Sequence, residues 1–64
     1  MTTDERRSRY MSARFMLFDG AWVLRPAIDQ LCGLDDELCS RLSQIVADLK
    51  AMHEECRGKA EGCR

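Results

Sequence analysis

The sequence predicts an all-α protein: a small helical hairpin or three-helix chain built on a long C-terminal helix over about residues 35–57. Three observations predict it. From Leu38, apolar residues return at Leu42, Ile45, Leu49, Met52 and Cys56, spaced four, three, four, three and four apart. That is the heptad seam of a helix that buries one side. Cys39, Val46 and His53 fall beside the seam at intervals of seven and widen it, which suits a bundle better than a two-stranded coil. The third observation is size. With 64 residues and 45% hydrophobic content, the chain is too apolar for disorder, yet long enough for only one domain. A chain this short buries only about 60% of its unfolded surface. Small proteins offset that with a metal, disulfides or a partner subunit. The expectation is therefore a dimeric helical bundle, with Leu38, Leu42, Ile45, Leu49 and Met52 as the seam between copies.

Taken in order, residues 2–5, TTDE, have the form of a capping box with Thr2 as N-cap. Met11, Phe15, Phe18 and Trp22 follow at helical spacing, and Tyr10 and Leu17 form a second apolar edge. Asp19-Gly20 admits two readings. In the preferred one, a helix from about Thr3 to Phe18 ends with Gly20 as its C-terminal stop. In the alternative, residues 14–25 form a β-hairpin around a type I′ Asp-Gly turn, followed by helices. Arg25-Pro26 marks a further boundary, because proline disfavours helical geometry in the residue before it and itself suits a first helical turn. Pro26 then opens a short helical piece ending at Gly33, with Ile28, Leu31 and Cys32 toward the core. Leu34 is placed to pack on Cys39 as a hydrophobic staple, and Asp35 caps the long helix. The link between those two helices is so short that they must turn back antiparallel. Gly58 is the expected stop, leaving 58–64 as a frayed tail on a single domain spanning 1–64.

Charge is distributed unevenly. The chain carries a formal net charge of −1, split as +2 over residues 1–25, −4 over 26–57 and +1 over 58–64. This gradient favours antiparallel packing of the basic segment along the acidic helix. The first ten residues are charged and no apolar run is long enough for a signal or a membrane span, so a cytoplasmic protein with reduced cysteines is expected.

Chemistry is thinly signalled. No phosphate loop, nucleophile elbow or paired-carboxylate arrangement is present, and the length leaves little room for a rigid catalytic pocket, so neither enzyme activity nor a cofactor is expected. The four cysteines fall as Cys32-x6-Cys39 and Cys56-x6-Cys63, wider than the usual paired zinc ligands. Cys32 and Cys39 straddle a turn and can approach each other. Small core residues are the favoured reading for Cys32, Cys39 and Cys56. A zinc or redox module through His53, Cys56 and Cys63 is the alternative, resting on the i, i+3 spacing of the first two. Arg6, Arg7, Arg9, Arg14 and Phe15 mix basic and aromatic residues as nucleic-acid surfaces do, giving a second alternative, an RNA- or DNA-binding regulator. The leading expectation is a small regulator or adaptor that pairs with a second copy of itself and binds a protein partner. Phe18, Trp22 and Arg25 are its candidate partner surface, since aromatics clustered with arginine dominate binding energy at interfaces.

Met11, Ala13, Arg14 and Phe15, with the seam Leu42, Ile45, Leu49, Met52 and Cys56, give about half of the chain a resemblance to the plasmid repressor-of-primer family. Those are small dimeric four-helix bundles that bind paired RNA loops. The resemblance implies an RNA contact at Phe15; Asp19-Gly20 and Pro26 depart from the family's uninterrupted first helix.

Overall fold

A computed structural model of the chain describes residues 2–62. It contains two helices, α1 (Thr3–Leu31) and α2 (Asp36–Gly62), packed antiparallel as a hairpin. No strand is present among the described residues, and residues 14–25 lie inside α1. The hairpin is a rod of 48 × 15 × 14 Å.

Both helix starts are set by local chemistry. Thr2 has extended backbone geometry, and its hydroxyl accepts the Glu5 N–H at 3.1 Å. Asp35 does the same for α2, its Oδ1 accepting the Leu38 N–H at 3.0 Å. Each cap satisfies one of the donors that a helix start leaves without an intrahelical partner. Between the helices, Leu31–Leu34 is a tight turn in which the Leu34 N–H donates to the Leu31 carbonyl at 3.0 Å. Cys32 at φ −64°, ψ 122° and Gly33 at φ +82° give it type II geometry, whose third position requires positive φ. Glycine is needed there.

Three expected breaks do not form. α1 runs through Gly20 and Pro26 as one helix, and α2 runs through Gly58 to Gly62. Gly20 lies on the side facing α2, where a Cβ would stand 3.9 Å from Leu49 Cδ1. Pro26 is exposed and follows the buried Ala21 by five residues, about 140° round the helix, so its missing N–H falls on the solvent side. Gly58 faces open space, and Ala60 beyond it is 1% exposed. The expected frayed tail is thus helical as far as Gly62, supported by the Arg57–Glu61 pair at 3.4 Å; Cys63 and Arg64 lie outside the described residues. Packing against the neighbouring helix outweighs these local penalties, each about 1 kcal/mol for glycine and about 3 for proline. Leu34 also departs from expectation. It is 81% exposed, so no staple onto Cys39 forms.

The interhelical seam is rotated from the one expected. Its α2 side is Cys39, Leu42, Val46, Leu49, His53, Cys56 and Ala60, all buried or half-buried. Its α1 side follows Tyr10, Leu17, Ala21, Leu24, Ile28 and Leu31, the edge that Tyr10 and Leu17 begin. Leu42, Leu49 and Cys56 belong to both the expected and the observed seams. Leu38, Ile45 and Met52 remain exposed on one flank of α2. The physical reason is width: a single neighbouring helix covers only part of so broad a stripe, and small residues at Ala21, Val46 and Ala60 let the backbones approach. Those three are the buried core, and among the described residues no large side chain is fully buried.

Candidate functional site

Phe15, Phe18 and Trp22 of α1 lie outside the seam and are exposed. Phe18 and Trp22 are one helical turn apart, so their rings meet, with centroids 6.2 Å apart and planes at 62°. Across the seam, the His53 ring lies 5.5 Å from Phe18. The Arg25 guanidinium sits over the Trp22 ring at 5.1 Å, a cation–π contact that holds the charge beside an apolar surface. Trp22 itself is 55% exposed. Full burial would have excluded it from any docking surface.

A pocket of about 190 Å³ opens here, lined by Phe18, Ala21, Trp22, Arg25 and Lys50. It adjoins a second hollow that shares Arg25 and Lys50 and continues past Ile28, Asp29, Ser43, Val46 and Ala47. Together they form a groove along one flank of the hairpin, with an apolar floor and two cations at its centre. Neither Arg25 nor Lys50 pairs with a carboxylate among the described residues. Lys50 was not foreseen as part of this surface. Its position four residues beyond Val46 put it on the widened edge of the stripe, but only the folded hairpin brings it beside Trp22.

The arginines expected to form a nucleic-acid surface divide. Arg6, Arg7 and Arg9 are exposed along the first turns of α1. Arg14 is half-buried, bent over Phe15 at 5.0 Å with its NH1 nitrogen 3.8 Å from Met11 Sδ. Its Nε is buried without an acceptor. Phe15 is exposed. Arg6 and Arg9 instead line a separate hollow with Tyr10, Ala13 and Cys56.

The cysteines divide as well. Cys39 and Cys56 are half-buried in the seam, whereas Cys32 is exposed at the turn, contrary to its expected place in the core. His53 is nearly covered, with Nδ1 3.4 Å from Glu54 Oε1. Among the described residues no three His, Cys, Asp or Glu side chains converge as a metal site would require, and Cys63, the third expected ligand, lies outside them. Burial pushes the Cys39 thiol above its ordinary value, and negative charge on Cys32 would raise it further.

No described helix is long and apolar enough to cross a membrane. Comparison with protein-family models, curated proteins and solved structures finds no match to this chain.

Proposed function

We propose that this chain is a small, non-enzymatic regulator or adaptor that pairs with a second copy along α2 and binds a protein partner through Phe18, Trp22 and Arg25. The observation that carries the reading is the exposed Phe18–Trp22–Arg25 cluster beside its groove. Large aromatic rings left half in water cost solvation free energy, and their burial by a partner recovers roughly 25 cal/mol per Å² of apolar surface. The arginine stacked on Trp22 is already desolvated on one face, so an acidic partner group meets a partly preorganised cation. An aromatic pair flanked by cations suits an apolar segment that carries carboxylates. The expected mode of action is occupancy: the bound partner's own surface is covered, with no covalent chemistry.

Self-association uses a different surface. Leu38, Ile45 and Met52 repeat every seven residues along the exposed flank of α2 opposite the aromatic groove. They retain from the expected seam the part that α1 does not cover. Nucleic-acid binding is the weaker reading, since Arg14 is folded back on its own helix, leaving Arg6, Arg7 and Arg9 as its cationic group.

The partner surface is tested by parallel affinity capture with wild type, Trp22→Ala and Arg25→Glu, followed by titration of any protein retained. Residues that dominate an interface cost at least 2 kcal/mol on truncation, about thirtyfold in Kd. The Trp22→Ala protein should lose the captured protein while keeping wild-type helicity by circular dichroism. Equal retention by all three proteins would remove this surface from consideration.

A further inference from the structure

Two cysteines, Cys32 in the turn just past α1 and Cys39 in the first turns of α2, converge on one carbonyl. The Cys32 N–H, at the C-terminal end of α1, donates to the Ile28 carbonyl oxygen at 2.9 Å. The Cys39 thiol, in the first turns of α2, points at the same oxygen from 4.0 Å. The shared Ile28 oxygen therefore places the Cys39 sulfur beside the Cys32 backbone, with the two cysteines facing each other across the turn. Their backbones are held from both sides. The type II turn fixes the exit from α1, and the Asp35 carbonyl accepts the Cys39 N–H at 2.9 Å to begin α2. A disulfide needs its sulfurs brought together without backbone movement. The turn places the two cysteines around one carbonyl oxygen, within reach of such a bond.

We propose that Cys32 and Cys39 are a redox modification site, forming an intrachain disulfide across the interhelical turn by exchange with a low-molecular-weight disulfide of the oxidised-glutathione class. Cys32 is exposed and Cys39 half-buried, so the order of events follows from access. Cys32 gives up its proton, and its thiolate attacks one sulfur of the incoming disulfide. The external S–S bond breaks, a mixed disulfide forms on Cys32, and one small thiolate leaves and takes up a proton. Cys39 then gives up its proton, and its thiolate attacks the Cys32 sulfur. The mixed bond breaks, the Cys32–Cys39 bond forms, and the second small thiolate leaves and is protonated. The protein loses two protons and two electrons, and the external disulfide gains both. Cys39 is the slow partner at neutral pH, since burial disfavours its thiolate.

Geometry makes the pairing selective. Cys56 is seventeen residues beyond Cys39 on the same helix, about 25 Å along its axis, so it cannot reach the turn. The closed ring is small and ties the end of α1 to the start of α2, which restricts the hairpin where its two helices are joined. This site is independent of the partner surface, and neither result decides the other.

The test uses the full chain, as wild type and with Cys32→Ser, Cys39→Ser and a Cys56→Ser/Cys63→Ser double substitution. Each protein is equilibrated with oxidised and reduced glutathione, quenched with acid and analysed by intact mass and peptide mapping. The wild type and the double variant should each become two hydrogens lighter, with the bond mapped to Cys32 and Cys39 and a higher thermal midpoint. Cys39→Ser should stop at glutathione attached to Cys32. A wild type that accumulates only glutathione adducts, or whose bond maps to Cys56, Cys63 or a second chain, would overturn the proposal. The wild-type peptide map decides the matter even if a serine variant folds poorly.

Discussion

At the scale of single residues, what could be read in advance is what depends on neighbours within four positions. Thr2 and Asp35 cap their helices as their side chains and sequence contexts require, and Gly33 takes the positive φ of its turn. The residues proposed for the partner surface are different. Phe18 and Trp22 have helical spacing whether that stripe is covered or bare, so their exposure was not legible; it depends on which edge of α1 the other helix selects. Two glycines, Gly20 within α1 and Gly33 in the turn, show the same contrast and give predictions of opposite sign. A Cβ at Gly20 meets Leu49 Cδ1 at an ordinary contact distance of 3.9 Å. Gly20→Ala therefore gains helix propensity without a clash and should raise stability by about 0.5–1 kcal/mol. A Cβ at Gly33 has open space but a φ of +82°, so Gly33→Ala should lower stability by about 1 kcal/mol or more. Urea unfolding at one fixed protein concentration checks both: the midpoints should move in opposite directions with unchanged slope.

At the scale of elements, the long C-terminal helix was legible because its period persists for five turns, and the antiparallel hairpin followed from its short link to α1. The breaks at Gly20, Pro26 and Gly58 were misread for one shared reason. A stop signal is a local cost, and it ends a helix only where no packing compensates. Pro26 is the clearest case. It removes the N–H that would bond to the Trp22 carbonyl, and its ring crowds that carbonyl, yet both effects fall on the exposed side of α1. The helix therefore tolerates the proline without benefiting from it. Pro26→Ala should stabilise the protein by up to about 3 kcal/mol and leave the helical content nearly unchanged, measured by circular dichroism and urea unfolding. If Pro26 instead separated two helices, the alanine variant would gain helical signal, and the one-helix description of α1 would be wrong.

At the scale of the whole molecule, the hairpin exposes more surface than a compact chain of its mass. Its accessible surface is 4973 Å². A compact monomer of 7.4 kDa exposes about 4,200 Å² by the usual scaling of area with mass. The surplus of about 800 Å² is close to what each partner contributes to a standard protein interface. On the proposed pairing, the exposed flank opposite the aromatic groove is the surface that a second copy covers. Leu38, Ile45 and Met52 line it on α2, and Met16 and Val23 stand on the matching side of α1, with Val23 75% exposed. Of the expected seam, Leu42, Leu49 and Cys56 lie between α1 and α2, and they were legible because exposed and interhelical residues share one heptad period. That Leu38, Ile45 and Met52 stay exposed was not legible, since it depends on where α1 lies. Ile45 tests the proposed pairing, being 49% exposed in the hairpin and outside the interhelical seam. In a symmetric pair one substitution acts twice, so Ile45→Glu places two carboxylates in the interface while leaving each hairpin's own contacts intact. Sedimentation equilibrium should give twice the chain mass for wild type at micromolar concentration and the single-chain mass for Ile45→Glu. Leu34→Glu, at an exposed turn position away from the strip, should remain paired. A wild type that stays monomeric throughout would refute self-association. A pair broken by Trp22→Ala but not by Ile45→Glu would move the copy-to-copy contact onto the aromatic face, and the partner-binding reading of that face would then fail with it.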